Sequence, residues 1–88
     1  MNDQAQLEGV IALLEEHLSN GDFQFVDNWF DHADLDALSP TSIIGALSIS
    51  YWGKKELTRR EAFLQRAEIV LKEKLGEERA EKLLFRRR

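Results

Sequence analysis

The 88-residue sequence contains no cysteine. This absence excludes disulfides, thiolate metal sites, iron–sulfur clusters and a cysteine nucleophile together. Uninterrupted apolar runs are far shorter than the roughly 18 residues that a membrane span requires. The first twenty residues carry acids where a secretory signal peptide carries Lys or Arg. We therefore expect a cytoplasmic protein with no membrane association, held together by packing alone.

Sequence patterns that carry enzymatic chemistry are also absent. There is no GxSxG elbow, no glycine-rich phosphate loop and no dinucleotide fingerprint. His17 and His32 are the only histidines, and their spacing cannot present two imidazoles to one metal from one helix. The run from Asp31 to Asp36 offers oxygen ligands for a weak divalent-cation site, but aspartates that cap a helix end explain it better. We predict no catalytic residues, no cofactor and no metal ion.

Proline and glycine are scarce, and their positions divide the chain into helices. Ser39 followed by Pro40 predicts a helix start, since serine caps and proline fits the first turn, where its missing N–H is not needed. Gly21, Gly53 and Gly76 stand where helices should end. The one β-branched cluster follows the Ser-Pro start signal, so no strand is predicted.

Apolar residues at intervals of three and four predict five helices. The first helix is expected at 4–18, the second from the N-cap Asp22 to about Ala33, and the third at 41–52. The fourth helix should start at Arg59, after a capping box formed by Thr58 and Glu61. The fifth should run from Glu77 to about Phe85. The third helix is apolar nearly all round, with a small-residue notch at Gly45 and Ser48, and should be central. The last helix should turn Ala80, Leu83 and Leu84 inward.

These helices predict an all-α fold, a small bundle of four to five helices. It consists of an N-terminal helical hairpin, a central apolar helix and one or two C-terminal helices. Residues 1–85 form the single helical domain. Residues 86–88 are a basic tail that should fray.

Positive charge is missing from the first half of the chain. Nine acids and no Lys or Arg precede residue 41, giving −9, whereas twelve cations and seven acids follow, giving +5. One interpretation is intramolecular, with the acidic hairpin docking beside the basic helices, each exposed pair contributing a fraction of a kcal/mol. A second interpretation is an exposed acidic face that meets a basic partner.

The second interpretation gives our main functional hypothesis, a non-enzymatic interaction or regulatory protein. It binds a protein partner, a basic protein among the candidates, or a second copy of itself through an acidic and aromatic surface of the second helix. The candidate partner-binding residues are Asp27, Asp31, Asp34, Asp36, Trp29 and Trp52.

Two alternatives involve nucleic acid. The C-terminal cations predict a small nucleic-acid-associated protein that uses Arg79, Lys82, Arg86, Arg87 and Arg88. Against it, glutamates are interleaved among these cations, and Glu68 with Lys72 has the i, i+4 order of a solvated helix face. The acidic half predicts instead an inhibitor that mimics nucleic acid, although such mimics usually carry fewer cations. We consider nucleic-acid binding the weaker hypothesis.

Overall fold

The structure, a computed structural model, describes residues 3–85. The helices are α1 (Asp3–Ser19), α2 (Phe23–His32), α3 (Pro40–Ser50), α4 (Arg60–Leu75) and α5 (Glu77–Leu84), with one 3₁₀ turn at Tyr51–Gly53. Helix accounts for 78% of the described residues, and no strand occurs among them. The predicted all-α bundle is confirmed, with five helices.

Four of the predicted cap residues, Asp22, Ser39, Gly21 and Gly76, have the expected local chemistry. The side chains of Asp22 and Ser39 each accept a hydrogen bond from the backbone N–H three residues on, at 3.2 and 3.1 Å. Gly21 and Gly76 have φ values of 74° and 88°, which a residue with a Cβ rarely adopts. The third helix is shorter than predicted, because after Ser50 the chain tightens into the 3₁₀ turn.

The core draws on every helix, and α3 runs through its middle. Helix α3 packs against α1 on one side and α4 on the other, as its apolar sequence predicted. The fully buried apolar side chains are Leu14, Val26, Phe30, Ile43, Ala46, Leu47, Phe63, Ala67, Leu71, Ala80 and Leu84. The prediction for Leu83 is wrong. Ala80 and Leu84 are four residues apart and share the inner face, whereas Leu83 lies about 100° away and is 37% exposed.

The predicted notch on α3 is where α1 comes closest. A Cβ at Gly45 would collide with the end of the Leu7 side chain and lie 3.5 Å from Ile11. The missing side chain of Gly45 therefore lets α1 settle onto α3.

The start of α4 differs from the prediction, since the Thr58–Glu61 capping box does not hold it. The helix begins at Arg60, and the N-cap residue Arg59 makes no side-chain capping bond. Instead, the Asp27 carboxylate on α2 binds the N-cap residue and the residue before it. It accepts hydrogen bonds from the Thr58 N–H at 3.0 Å, the Arg59 N–H at 2.9 Å and the Thr58 hydroxyl at 2.8 Å. Because a carboxylate is a stronger acceptor than a hydroxyl, Thr58 becomes a donor to Asp27.

Arg60, the first residue of α4, is buried at the C-terminal end of α3. Its Nε donates to the Ser50 hydroxyl at 2.6 Å and its Nη2 to the Leu47 carbonyl at 2.9 Å. Burial lowers the pKa of the Arg60 guanidinium. The last carbonyls of a helix carry partial negative charge, so they are suited to a cation. Arg60 thereby fixes α4 to the end of α3.

Lys72 links α4 to α5. Its Nζ lies 3.2 Å from both the Glu68 and the Glu81 carboxylates. The hydrogen bond to Glu68 has the largest effect on the pKa of Lys72, and together with the bond to Glu81 it raises that pKa. The predicted Glu68–Lys72 pair is thus confirmed and extends to a second helix.

Replacing Asp27 by Ala should lower the free energy of unfolding by about 1–2 kcal/mol, because two backbone N–H groups at the start of α4 lose a charged acceptor. Urea unfolding followed by circular dichroism measures this. The matched control is Asp36→Asn, because the hydrogen bonds of Asp36 come from its backbone. Equal unfolding midpoints for Asp27→Ala and the wild type would contradict this role of Asp27.

Replacing Arg60 by Met should lower the free energy of unfolding by about 1–3 kcal/mol, because the buried Leu47 carbonyl loses a charged donor. The same unfolding assay applies. Arg59→Met is the control, since Arg59 is exposed and its side chain makes only a surface ion pair with Asp31. The interpretation fails if both variants have the same small effect.

Candidate functional site

Two of the four predicted acidic residues have partners within the bundle. Asp27 binds the start of α4, and Asp31 forms an ion pair with Arg59 at 3.4 Å. Both side chains thus join the acidic first half of the chain to the start of α4. The Asp31–Arg59 pair fits the intramolecular interpretation of the charge asymmetry, whereas Asp27 binds backbone N–H groups and a hydroxyl.

The other two acidic residues, Asp34 and Asp36, are exposed in the loop between α2 and α3. The Asp34 carboxylate accepts the Asp36 N–H at 3.0 Å, a turn that the short aspartate side chain favours. Lys74 on α4 binds the same loop, its Nζ lying 3.1 Å from the Leu38 carbonyl and 3.4 Å from the carbonyls of Leu35 and Asp36. Among residues 3–85, no three His, Asp or Glu side chains are grouped to hold a metal ion.

The two predicted tryptophans lie in different surroundings. Trp29 is half-buried, with its ring 5.5 Å from Phe30 and 5.8 Å from Phe63, so it packs at the edge of the core. Trp52 is 85% exposed. Of the two tryptophans, Trp52 is therefore the one that offers a large aromatic surface to a partner.

The cations of the nucleic-acid alternative are only partly described. Arg79 and Lys82 are exposed on α5, and Lys82 lies 3.5 Å from the Glu78 carboxylate. Arg86, Arg87 and Arg88 lie outside the described residues. No described contact gathers Arg79 and Lys82 into a cluster free of acids.

Trp52 stands beside an apolar groove between α1 and α3, which the sequence did not predict. Two concavities of about 410 and 400 Å³ adjoin there, and both are lined by Ile49 and Trp52. We call their combined lining the α1–α3 groove. It consists of Leu7, Ile11, Glu15, Leu18, Ser19, Phe23, Thr41, Ile44, Gly45, Ser48, Ile49 and Trp52.

The groove exists because α3 has more apolar surface than the core covers. Ile43 and Leu47 are fully buried, but Ile44 and Ile49 on neighbouring sides of the helix are only partly so. The 3₁₀ turn then directs Trp52 outward. Beneath it, the buried Gly53 leaves room for other side chains, since a Cβ there would lie 2.9 Å from Leu18 and 3.1 Å from Phe23.

The lining of the groove contains one charged residue, which is acidic. Glu15 is part of the lining, α1 carries no Lys or Arg, and α3 carries no charged residue. The nearest cation in sequence is Lys54, whose Nζ lies 5.1 Å from the centre of the Tyr51 ring. A partner that presents apolar side chains with Lys or Arg beside them would therefore complement this surface.

Comparisons with known proteins add no functional information. A scan against protein-family models, a search of curated proteins and a search of solved structures each found no match to this chain. Within residues 3–85, no helix has the length and apolar character needed to cross a membrane.

Replacing Trp52 by Ala should change the free energy of unfolding by less than about 0.5 kcal/mol, because its ring makes little contact with the bundle. The matched change Trp29→Ala should lower it by about 2–4 kcal/mol, because it removes ring contacts with Phe30 and Phe63. Urea unfolding of the two variants provides the comparison. A large loss for Trp52→Ala would show that Trp52 serves the fold rather than a binding surface.

Proposed function

We propose that this chain is a non-enzymatic interaction protein that binds a protein partner through the α1–α3 groove. The observation that carries the proposal is the position of Trp52, exposed beside a concave apolar surface and common to both parts of the groove. Tryptophan is the residue type most enriched among those that dominate binding energy.

The groove supports this function better than the acidic surface of α2. Asp27 and Asp31 already have partners within the chain, and Trp29 packs at the edge of the core. Asp34 and Asp36 stay exposed, so binding through the acidic loop remains a separate hypothesis. Trp52 is the one member of the predicted surface that belongs to the groove.

Magnitudes also favour Trp52 over the exposed charges. An exposed ion pair contributes roughly 0.2–1 kcal/mol. Truncating a tryptophan that a partner fully buries costs about 2–4 kcal/mol, and more in some complexes. The acidic residues near the groove therefore act mainly on partner choice and association rate.

No specific observation on the described residues supports either nucleic-acid hypothesis. The one described ion pair of Lys82 is with Glu78, and the basic tail lies outside the described residues. An acidic mimic of nucleic acid needs free carboxylates, but Asp27 and Asp31 are engaged within the bundle. Both alternatives stay predictions.

Photo-crosslinking from the lip of the groove tests the proposal. A photo-reactive phenylalanine at Ser19, which is exposed and lines the groove, should form adducts with a discrete partner in native lysate. The same group at Ile69, which is 61% exposed on α4, is the control. Trp52→Ser should remove the adducts at position 19, because the partner loses its main anchor.

The charge-reversed variant Asp34→Lys/Asp36→Lys separates the groove from the acidic loop. If the groove binds the partner, this variant keeps the position 19 adducts. Adducts that survive Trp52→Ser but disappear in the charge-reversed variant would assign binding to the loop and refute the proposal. Equal capture from positions 19 and 69 would refute it as well.

A further inference from the structure

Two of the acidic residues of α1, Glu8 and Glu15, lie on the side of the helix next to the apolar residues that line the α1–α3 groove. At about 100° per residue, Glu8 and Glu15 lie within the same arc of α1 as Leu7 and Ile11. Both carboxylates are exposed, and Glu15 is part of the groove lining. Their separation of seven residues is two helical turns, or about 10.5 Å. The groove therefore has one carboxylate in its lining, Glu15, and a second, Glu8, two turns away on the same helix.

The groove has the length of a short helix. Leu7 and Leu18 mark its extent along α1, and eleven residues of helix rise about 16 Å. An α-helix in such a groove makes contact through apolar residues spaced three, four and seven apart. An extended peptide would instead need a sheet edge to supply backbone hydrogen bonds, and residues 3–85 contain no strand.

We infer that the occupant of the groove is an amphipathic helix of a partner protein with basic residues beside its apolar stripe. The apolar stripe packs on Ile49 and Trp52, and Lys or Arg residues two turns apart face Glu8 and Glu15. This inference rests on the proposed function and adds the chemical class of the partner. Charge complementarity carries it, because the lining of the groove holds the Glu15 carboxylate, Glu8 lies two turns before it on α1, and α1 and α3 contain no Lys or Arg.

A second copy of this chain fits the groove less well. The basic helices α4 and α5 already use their apolar faces in the core, where Phe63, Leu71 and Leu84 are fully buried. Glutamates are also interleaved with their cations, as in the Glu78–Lys82 and Glu68–Lys72 pairs. A second copy would therefore bring carboxylates close to Glu8 and Glu15.

Three synthetic peptides of one length serve as probes. The first is an amphipathic helix with Leu and Phe on one face and Lys at flanking positions seven residues apart. The second has Glu in place of each flanking Lys. The third contains the residues of the first in an order that destroys the apolar face. Binding is measured by the change in tryptophan emission, with peptides that contain no tryptophan.

The basic helical peptide should bind the wild-type chain at least tenfold more tightly than the acidic peptide at low salt. The scrambled peptide should bind at least tenfold more weakly, although its charge is unchanged. The advantage over the acidic peptide should shrink in about 0.5 M salt, because exposed charges are screened there.

Matched charge variants locate the recognition. Glu8→Gln/Glu15→Gln should weaken binding of the basic peptide by roughly threefold to tenfold. Glu16→Gln/Glu73→Gln makes the same change in net charge at exposed positions away from the groove and should change it by less than twofold. Equal effects of the two double variants would show that net charge alone attracts the peptide, and the inference would fail.

The remaining outcomes distinguish the inference from the proposed function. If the basic and acidic peptides bind equally and Trp52→Ser weakens both, the groove binds helices without regard to charge. The inference is then wrong while the proposed function stands.

No binding of either ordered peptide at millimolar concentration also overturns the inference, and the crosslinking result then decides the proposed function separately. A dimeric mass by light scattering that becomes monomeric in Trp52→Ser would assign the groove to a second copy and overturn the inference.

Discussion

The Asp27 carboxylate at the start of α4 is the contact on which the arrangement of this bundle depends. It crosses from α2 to a helix whose own N-cap residue supplies no side-chain acceptor, and it satisfies two backbone N–H groups there. At the far end of α2, Arg66 donates to the Phe30 carbonyl at 2.5 Å. Helix α2 thus supplies a negative side chain to the N-terminal end of α4, and α4 supplies a positive side chain to the C-terminal end of α2. These contacts set α2 beside α4 in a fixed register.

The position of α4 in turn fixes α3 and leaves its other side for α1. Arg60 follows directly after the residues that Asp27 binds, and it fixes α4 to the Ser50 hydroxyl and the Leu47 carbonyl at the end of α3. Helix α3 therefore has α4 on one side and α1 on the other, with its remaining apolar surface between α1 and solvent. The α1–α3 groove is that remaining surface, and Trp52 stands where α3 passes into the 3₁₀ turn. The charge asymmetry of the sequence thus has two parts. Asp27 and Asp31 bind the start of α4, and Glu15 lies in the lining of the groove.

Local chemistry made much of the fold predictable. The caps at Asp22 and Ser39, the proline at the first turn of α3 and the glycine after α4 each act within a few residues, so they can be read from the sequence. The capping box at Thr58 was wrong because its competitor, Asp27, is 31 residues away and meets it only in the folded chain. The exposure of Leu83 likewise depends on how α5 docks.

The groove was not predicted because it is a property of two helices together. The sequence did contain one signal for it. Helix α3 carries no charge and is apolar nearly all round, and α1 carries acids but no Lys or Arg. Packing these two helices together leaves apolar surface beside acidic side chains. The acidic surface of α2 was a reasonable hypothesis from the spacing of its aspartates. Spacing alone could not show that Asp27 and Asp31 would be engaged by Thr58 and Arg59.

Backbone amide chemical shifts, measured by NMR while the chain is titrated with the basic helical peptide, test most directly whether the groove or the acidic surface binds. Binding in the groove predicts that the largest shift changes fall on residues 7–19 and 41–52, with little change at residues 27–36. Changes centred on residues 27–36, with the α1 and α3 amides unmoved, would contradict it and return the binding surface to α2 and its following loop.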